Sequence, residues 1–162
     1  MEKQRLLQLE IVECNDYHNQ RLQQCFREYF EEIGEHLKEN TKVFDRMQRA
    51  ADSGMHCYVI RKEEDILGFI QFQQEVLTHE MGFFTEKLGF IRELWVSPTI
   101  RKQGCGAWLV SAAEAYFKKA GVAKLILTYE EDALGFYQKL GFVEDKSYQA
   151  ENEQGVVIKI LS

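Results

Sequence analysis

The stretch VSPTIRKQGCGAWLV (96–110) holds the residues whose types and spacing suggest chemistry. An apolar strand ends there, a tight turn follows, and a glycine-rich segment opens a helix. The first turn of a helix has backbone N–H groups without intrahelical partners and carries the positive end of the helix dipole. Such a turn is an anion site, and phosphate is its usual guest. Gly104 and Gly106 have no Cβ, so a phosphate can approach their amides closely. Arg101 adds charge at the mouth. Cys105 stands at the helix start, where a thiolate is stabilised. It is either a reactive thiol or a tolerated variable position in the loop. Taken alone, Gly-x-Gly at a helix start also suits a glycine turn packed on a sheet.

Other phosphate motifs do not fit. The GxxxxGK-Ser/Thr pattern is absent. The dinucleotide pattern GxGxxG lacks its third glycine, since Leu109 stands there. Its unit normally opens a fold, whereas these glycines follow the fourth strand. The four cysteines (14, 25, 57, 105) form no CxxC pair and read as reduced thiols. The four histidines (18, 36, 56, 79) have no metal-ligand spacing, so no metal site is expected. The net charge of −6 and the lack of a basic stripe argue against a nucleic-acid partner. The acidity either steers a cationic amine or simply aids solubility.

The elements that must position this loop follow from periodicity. With 162 residues, 45% of them hydrophobic, the chain fits one domain over 1–162 with one core. No apolar run approaches the roughly 20 residues of a membrane span, and the N-terminus has no signal-type stretch. A cytoplasmic protein without a membrane partner is expected. Leu6–Val12 reads as a strand. Asn15 or Asp16 then caps a helix reaching Leu37, with Leu22, Phe26, Tyr29 and Ile33 on its apolar stripe. A second helix spans Thr41–Ser53, stopped by Gly54. Residues 56–62 and 66–76 form a hairpin about a turn at 63–65. Residues 78–89 read as a loop with exposed Phe83 and Phe84, and 90–96 as a strand. The helix over 104–121 places Leu109, Ala113, Tyr116 and Ala120 on one stripe. Residues 123–129 are an apolar strand buried on both faces. A short helix over 132–140, stopped by Gly141, and strands at 142–146 and 156–161 close the chain. The early strands, joined by short turns, are expected to be antiparallel, and the strand–helix–strand from 90 to 129 predicts a parallel crossover. The fold class is therefore α/β, a mixed sheet with helices on both faces.

Arg101-Lys102-Gln103-Gly104-Cys105-Gly106 resembles the R/Q-x-x-G-x-G/A signature of the GNAT acyltransferases. The strand exit LWVSP (94–98) looks like the family's fourth strand and its end, and ALGFYQKLGF (133–142) resembles its A-x-x-x-Y-x-x-x-G-F segment. The likeness covers nearly the whole order of elements.

That resemblance implies an N-acetyltransferase moving acetyl from acetyl-CoA to a primary amine by direct attack in a ternary complex. Amides from Gln103 to Ala107 would bind the CoA pyrophosphate, with Arg101 and Lys102 beside them. Main-chain groups of Leu94, Trp95 and Val96 would meet the pantetheine arm, and one amide would polarise the thioester. Tyr137 matches the tyrosine that protonates the departing thiolate; otherwise it is a core residue beside Phe136 and Leu140. Glu93 is either the base that takes the amine proton or a solvated carboxylate. Tyr29, Glu32 and Glu75 are weaker acceptor-side candidates. Phe136 and Asp132 would lie near the cofactor, although many relatives carry asparagine where Asp132 stands, which puts that contact in question. The aromatic loop 78–89 forms either an acceptor wall or a homodimer contact. The rival readings are a non-catalytic acyl-CoA sensor and an acetyltransferase of protein N-termini or lysines.

Overall fold

A computed structural model describes residues 8–35, 40–78, 82, 85–148 and 155–161. Leu6, His36, Leu37, His79, Phe83 and Phe84 lie outside the described residues. The strands are β1 (Leu9–Glu13), β2 (His56–Lys62), β3 (Asp65–Thr78), β4 (Thr85–Val96), β5 (Lys124–Tyr129), β6 (Val143–Glu144) and β7 (Gly155–Ile160). The helices are α1 (Gln20–Glu32), α2 (Asn40–Asp52), α3 (Cys105–Lys119) and α4 (Leu134–Lys139). The sheet order is β1-β2-β3-β4-β5-β7-β6. β4 and β5 are parallel, while β1–β2, β5–β7 and β6–β7 are antiparallel. The expected mixed sheet and order of elements are thus observed. No described helix is long and apolar enough to cross a membrane.

The chain divides into two compact units, Met1–Gln71 with Glu93–Ala112, and Phe72–Arg92 with Ala113–Ser162. In the first, α1 starts at Asn19, whose side chain accepts the Arg21 and Leu22 N–H groups at 2.9 and 3.1 Å. Neither Asn15 nor Asp16 is the cap. Asn15 instead accepts the Cys57 N–H at 2.9 Å, and Asp16 accepts that of His18 at 3.0 Å. α1 buries Leu22, Cys25, Phe26 and Phe30, and Phe26 stacks on Phe69 of β3 with ring centres 4.0 Å apart. Ile33 falls after the helix and is half exposed. Gln71, buried in β3, donates to the Tyr17 hydroxyl at 2.7 Å, which satisfies its polar side chain within the core.

In the second unit, β5 buries Leu125, Ile126 and Leu127 in succession, as a strand covered on both faces must. β4 begins at Thr85, so 85–89 is strand and not the end of a loop. Its polar start is held by Glu86, which accepts from Lys124 at 2.6 Å and from the Tyr148 hydroxyl at 2.8 and 2.9 Å. The buried stripe of α3 runs through Ala113 and Phe117, while Tyr116 is half-buried and Ala120 exposed. Phe117 and Tyr116 pack on Phe72 of β3, each with ring centres 5.3 Å apart. The strand expected over 142–146 reduces to Val143 and Glu144, paired with Ile158 and Val157.

Two outcomes follow. A Cβ on Gly89 would stand 2.6 Å from Leu125 Cδ2 and 2.8 Å from the Phe117 ring. Gly89→Ala should therefore cost about 1–3 kcal/mol in urea unfolding, the usual penalty of overpacking. Burial pushes the Cys57 thiol up to about 12, and raises Cys25 as well. The folded state then holds protons that the unfolded chain has released. Stability should be level below about pH 8.5, the ordinary thiol range, and fall as pH rises toward the folded value. Urea midpoints taken at neutral pH and at about pH 10.5 test this.

Candidate active site

The site is built where β4 ends. Ser97 is buried, and its N–H donates to the Leu67 carbonyl at 2.7 Å. Its hydroxyl accepts the Thr99 N–H at 3.3 Å and caps the 3₁₀ turn Pro98–Ile100. Ser-Pro is a legible start signal, since proline at the first helical position needs no N–H partner. Arg101 is extended (φ −69°, ψ 162°), Lys102 is left-handed at φ +63°, and Gly104 is left-handed at φ +82°. A Cβ at Gly104 would meet nothing within 4 Å, so conformation rather than space calls for glycine there. Lys102 has no such freedom, and its conformation costs on the order of 1 kcal/mol.

α3 opens at Cys105, and the Trp108 N–H donates to the Gly104 carbonyl at 2.9 Å. The amides of Cys105, Gly106 and Ala107 therefore belong to the turn without intrahelical acceptors. Left-handed Lys102 and Gly104 precede them, and free amides at a helix start are suited to an anion. The Cys105 side chain turns inward, and burial raises its thiol rather than lowering it. A hollow of about 230 Å³ lies beside the loop, lined by Leu9, Lys62, Leu67, Thr99, Ile100 and Gln103.

Arg101 does not point its charge at the loop mouth. Its Nη2 donates to both Glu32 oxygens at 2.7 Å and its Nε to the Val96 carbonyl at 2.9 Å. Glu32 also accepts from the Trp95 indole at 3.2 Å. Three positions earlier on α1, the Tyr29 hydroxyl donates to Glu93 at 2.5 Å. Tyr29 and Glu32 share one helix face, and Glu93 and Trp95 share one face of β4. The last turn of α1 thus gathers Glu93, Trp95 and Arg101 around two residues that the sequence ranks as minor candidates. Leu94 and Val96 project to the other face of β4. The parallel ladder joins Gly89 and Phe90 to Leu125 and Ile126, and the main chain of 94–96 lies beyond it.

In the second unit, Tyr137 is buried on α4, edge-on to Phe136 and Phe142 at 5.0 and 5.6 Å between ring centres. Gly141, at φ +95°, ends the helix and lets the Phe142 N–H reach the Tyr137 carbonyl at 3.1 Å. Phe136 is half-buried, and Asp132 is exposed in the 3₁₀ turn Glu131–Ala133. Glu75 is exposed on β3 and accepts a hydrogen bond from Gln73.

The sheet is thus seven-stranded and mixed, with a loop of free amides between its fourth strand and the next helix. The family model of the acetyltransferase (GNAT) family matches residues 17–142. The chain belongs to that family and is an acetyltransferase. Among solved structures, an acetyltransferase from Thermus thermophilus is similar at 17% identity, with a TM-score of 0.71 over 94% of this chain and 97% of that one. The PaiA N-acetyltransferase of Thermoplasma acidophilum, in complex with coenzyme A, is similar at 15% identity, with a TM-score of 0.64 over 94% and 98%. A variant of the AtaT toxin, bound to the C-terminus of the antitoxin AtaR and acetyl-CoA, is similar at 19% identity, with a TM-score of 0.67 over 95% and 94%. No curated protein matches the chain.

The burial of Cys105 sets a test. Iodoacetamide on the native protein should label the half-buried Cys14 first and reach Cys25, Cys57 and Cys105 only on unfolding. Cys105→Ala should leave acetyl transfer largely intact.

Proposed function

We propose that this acetyltransferase uses acetyl-CoA and passes the acetyl group directly to a primary amine in a ternary complex. The observation that carries the reading is the row of amides at the start of α3, aligned by left-handed Lys102 and Gly104. Coenzyme A in the Thermoplasma protein and acetyl-CoA in the AtaT variant support the choice of acyl donor. In this reading residues 1–162 work as one domain, since β3, β4 and α3 each run through both units.

The amides of Gln103 to Ala107 hold the diphosphate, with the Lys102 side chain beside them. Main-chain groups of Leu94, Trp95 and Val96, beyond the β4–β5 ladder, receive the pantetheine arm. One of their N–H groups stabilises the oxyanion formed when the amine attacks the thioester carbon. Arg101 contributes by holding the loop, its guanidinium being engaged by Glu32. Asp132 and Phe136 lie along the cofactor, and the exposure of Asp132 keeps its charge in water.

The amine arrives protonated, and Glu93 accepts that proton directly or through water. The Tyr29 hydroxyl, donating to Glu93, orients the carboxylate for that task. The neutral nitrogen attacks, the tetrahedral adduct collapses, and the C–S bond breaks. Tyr137 then protonates the thiolate. A phenol of pKa near 10 donates to a thiolate whose thiol lies near 8.5 only when the two are in contact. One observation favours a second reading, an acyl-CoA-binding module without turnover. Tyr137 packs between two phenylalanines as a core residue would.

Thiol release from acetyl-CoA separates the readings when tested with polyamines, amino acids, aminoglycosides and short peptides. Release with an amine supports transfer and ranks the acceptors, while binding without release supports the module. Tyr137→Phe should lower kcat by about 10²-fold while the Kd for coenzyme A stays near that of the wild type. Glu93→Gln should lower kcat/KM by a similar factor at neutral pH and flatten the acidic limb of its pH profile. Unchanged turnover in either variant removes that residue from the mechanism.

A further inference from the structure

Glu32 is the last residue of α1, and its carboxylate is the meeting point of a small network. Both oxygens accept from Arg101 at 2.7 Å, and Oε2 also accepts from the Trp95 indole at 3.2 Å. The Arg101 guanidinium lies 5.9 Å from the centre of the Trp95 ring, and its Nε returns to the Val96 carbonyl at 2.9 Å. The side chain of Arg101 therefore bridges the first residue of the loop to the last residue of β4. Glu32 fixes the far end of that bridge. One residue on stands Lys102, in a left-handed conformation that persists only where neighbouring contacts determine it.

We infer that Glu32 is a positioning residue for the anion loop. Acting through Arg101, it makes cofactor affinity depend on a carboxylate carried by α1. The inference rests on the reading that residues 103–107 bind the coenzyme A diphosphate. Glu32 and Arg101 are each 41% exposed in their side chains, so water screens the pair and its share in global stability is small. Its effect falls on where the loop sits. Loss of affinity and loss of folding are then separable.

The test is calorimetric titration with coenzyme A, alongside thermal melting and steady-state kinetics. The wild type binds. Glu32→Gln keeps the shape and an acceptor for Trp95 but loses the charge that holds Arg101. It should raise the Kd for coenzyme A about three- to tenfold, with the kinetic loss in KM for acetyl-CoA rather than in kcat. Glu32→Asp should recover part of the affinity. Melting of both variants should stay within about 2 °C of the wild type. The double change Glu32→Gln with Arg101→Ala should bind no more weakly than Arg101→Ala alone, as two residues acting through one contact must. An unchanged Kd in Glu32→Gln overturns the inference, as do additive losses in the double variant. Tighter binding overturns it too, because Glu32 would then compete with the cofactor for Arg101. Absence of heat with the wild type overturns the loop reading itself and this inference with it.

Discussion

Main-chain amides hold an anion well only when the backbone that offers them is already in place. The start of α3 meets that condition through local chemistry on its upstream side. Ser97 anchors the chain to β3 through the Leu67 carbonyl, and Ile100 is buried beneath the turn. Arg101 ties the loop back to Val96. Two left-handed residues then turn the chain into the helix. The loop is exposed and rich in polar residues, yet each step into it is held by a named contact.

β4 supplies the rest of the arrangement. Gly68 of β3 allows the backbone of β4 to pass close by, since a Cβ there would lie 3.0 Å from the Trp95 carbonyl. The alternation of a strand sends Glu93 and Trp95 toward α1. The last turn of α1 answers with Tyr29 on Glu93 and Glu32 on Trp95 and Arg101. An acidic group, an indole and a guanidinium are thereby fixed by one helical turn.

Much of this is written in local pattern. The turn into α3 can be read because a helix start and its glycines need only a few adjacent residues. The strands at 56–62 and 124–129 follow from their apolar runs. What escapes is decided at long range. Asn15, Asp16 and Asn19 are all good caps, and the choice falls to Asn19 because Asn15 is drawn to the Cys57 amide of a distant strand. The start of β4, TEKLG, looks like a loop until Lys124 and Tyr148 are placed against Glu86. Tyr116 and Phe117 are adjacent on a helix, and a small rotation decides which one is fully buried. The pairing of Arg101 with Glu32 spans 69 positions, and no spacing rule reaches that far. The charge of Arg101 reads from sequence as facing the anion, whereas the fold turns it toward a carboxylate.

The two tryptophans occupy contrasting environments within this scheme. Trp95 is 6% exposed, ringed by Tyr29 and Phe69, with its indole N–H on a carboxylate. Trp108 is 40% exposed on the second turn of α3. Their emission should separate accordingly: a shielded blue component from the junction of α1 with β4, and a red component, open to aqueous quenchers, from the start of α3. The chain thus carries two optical probes of its own, one buried beside β4 and one exposed on α3.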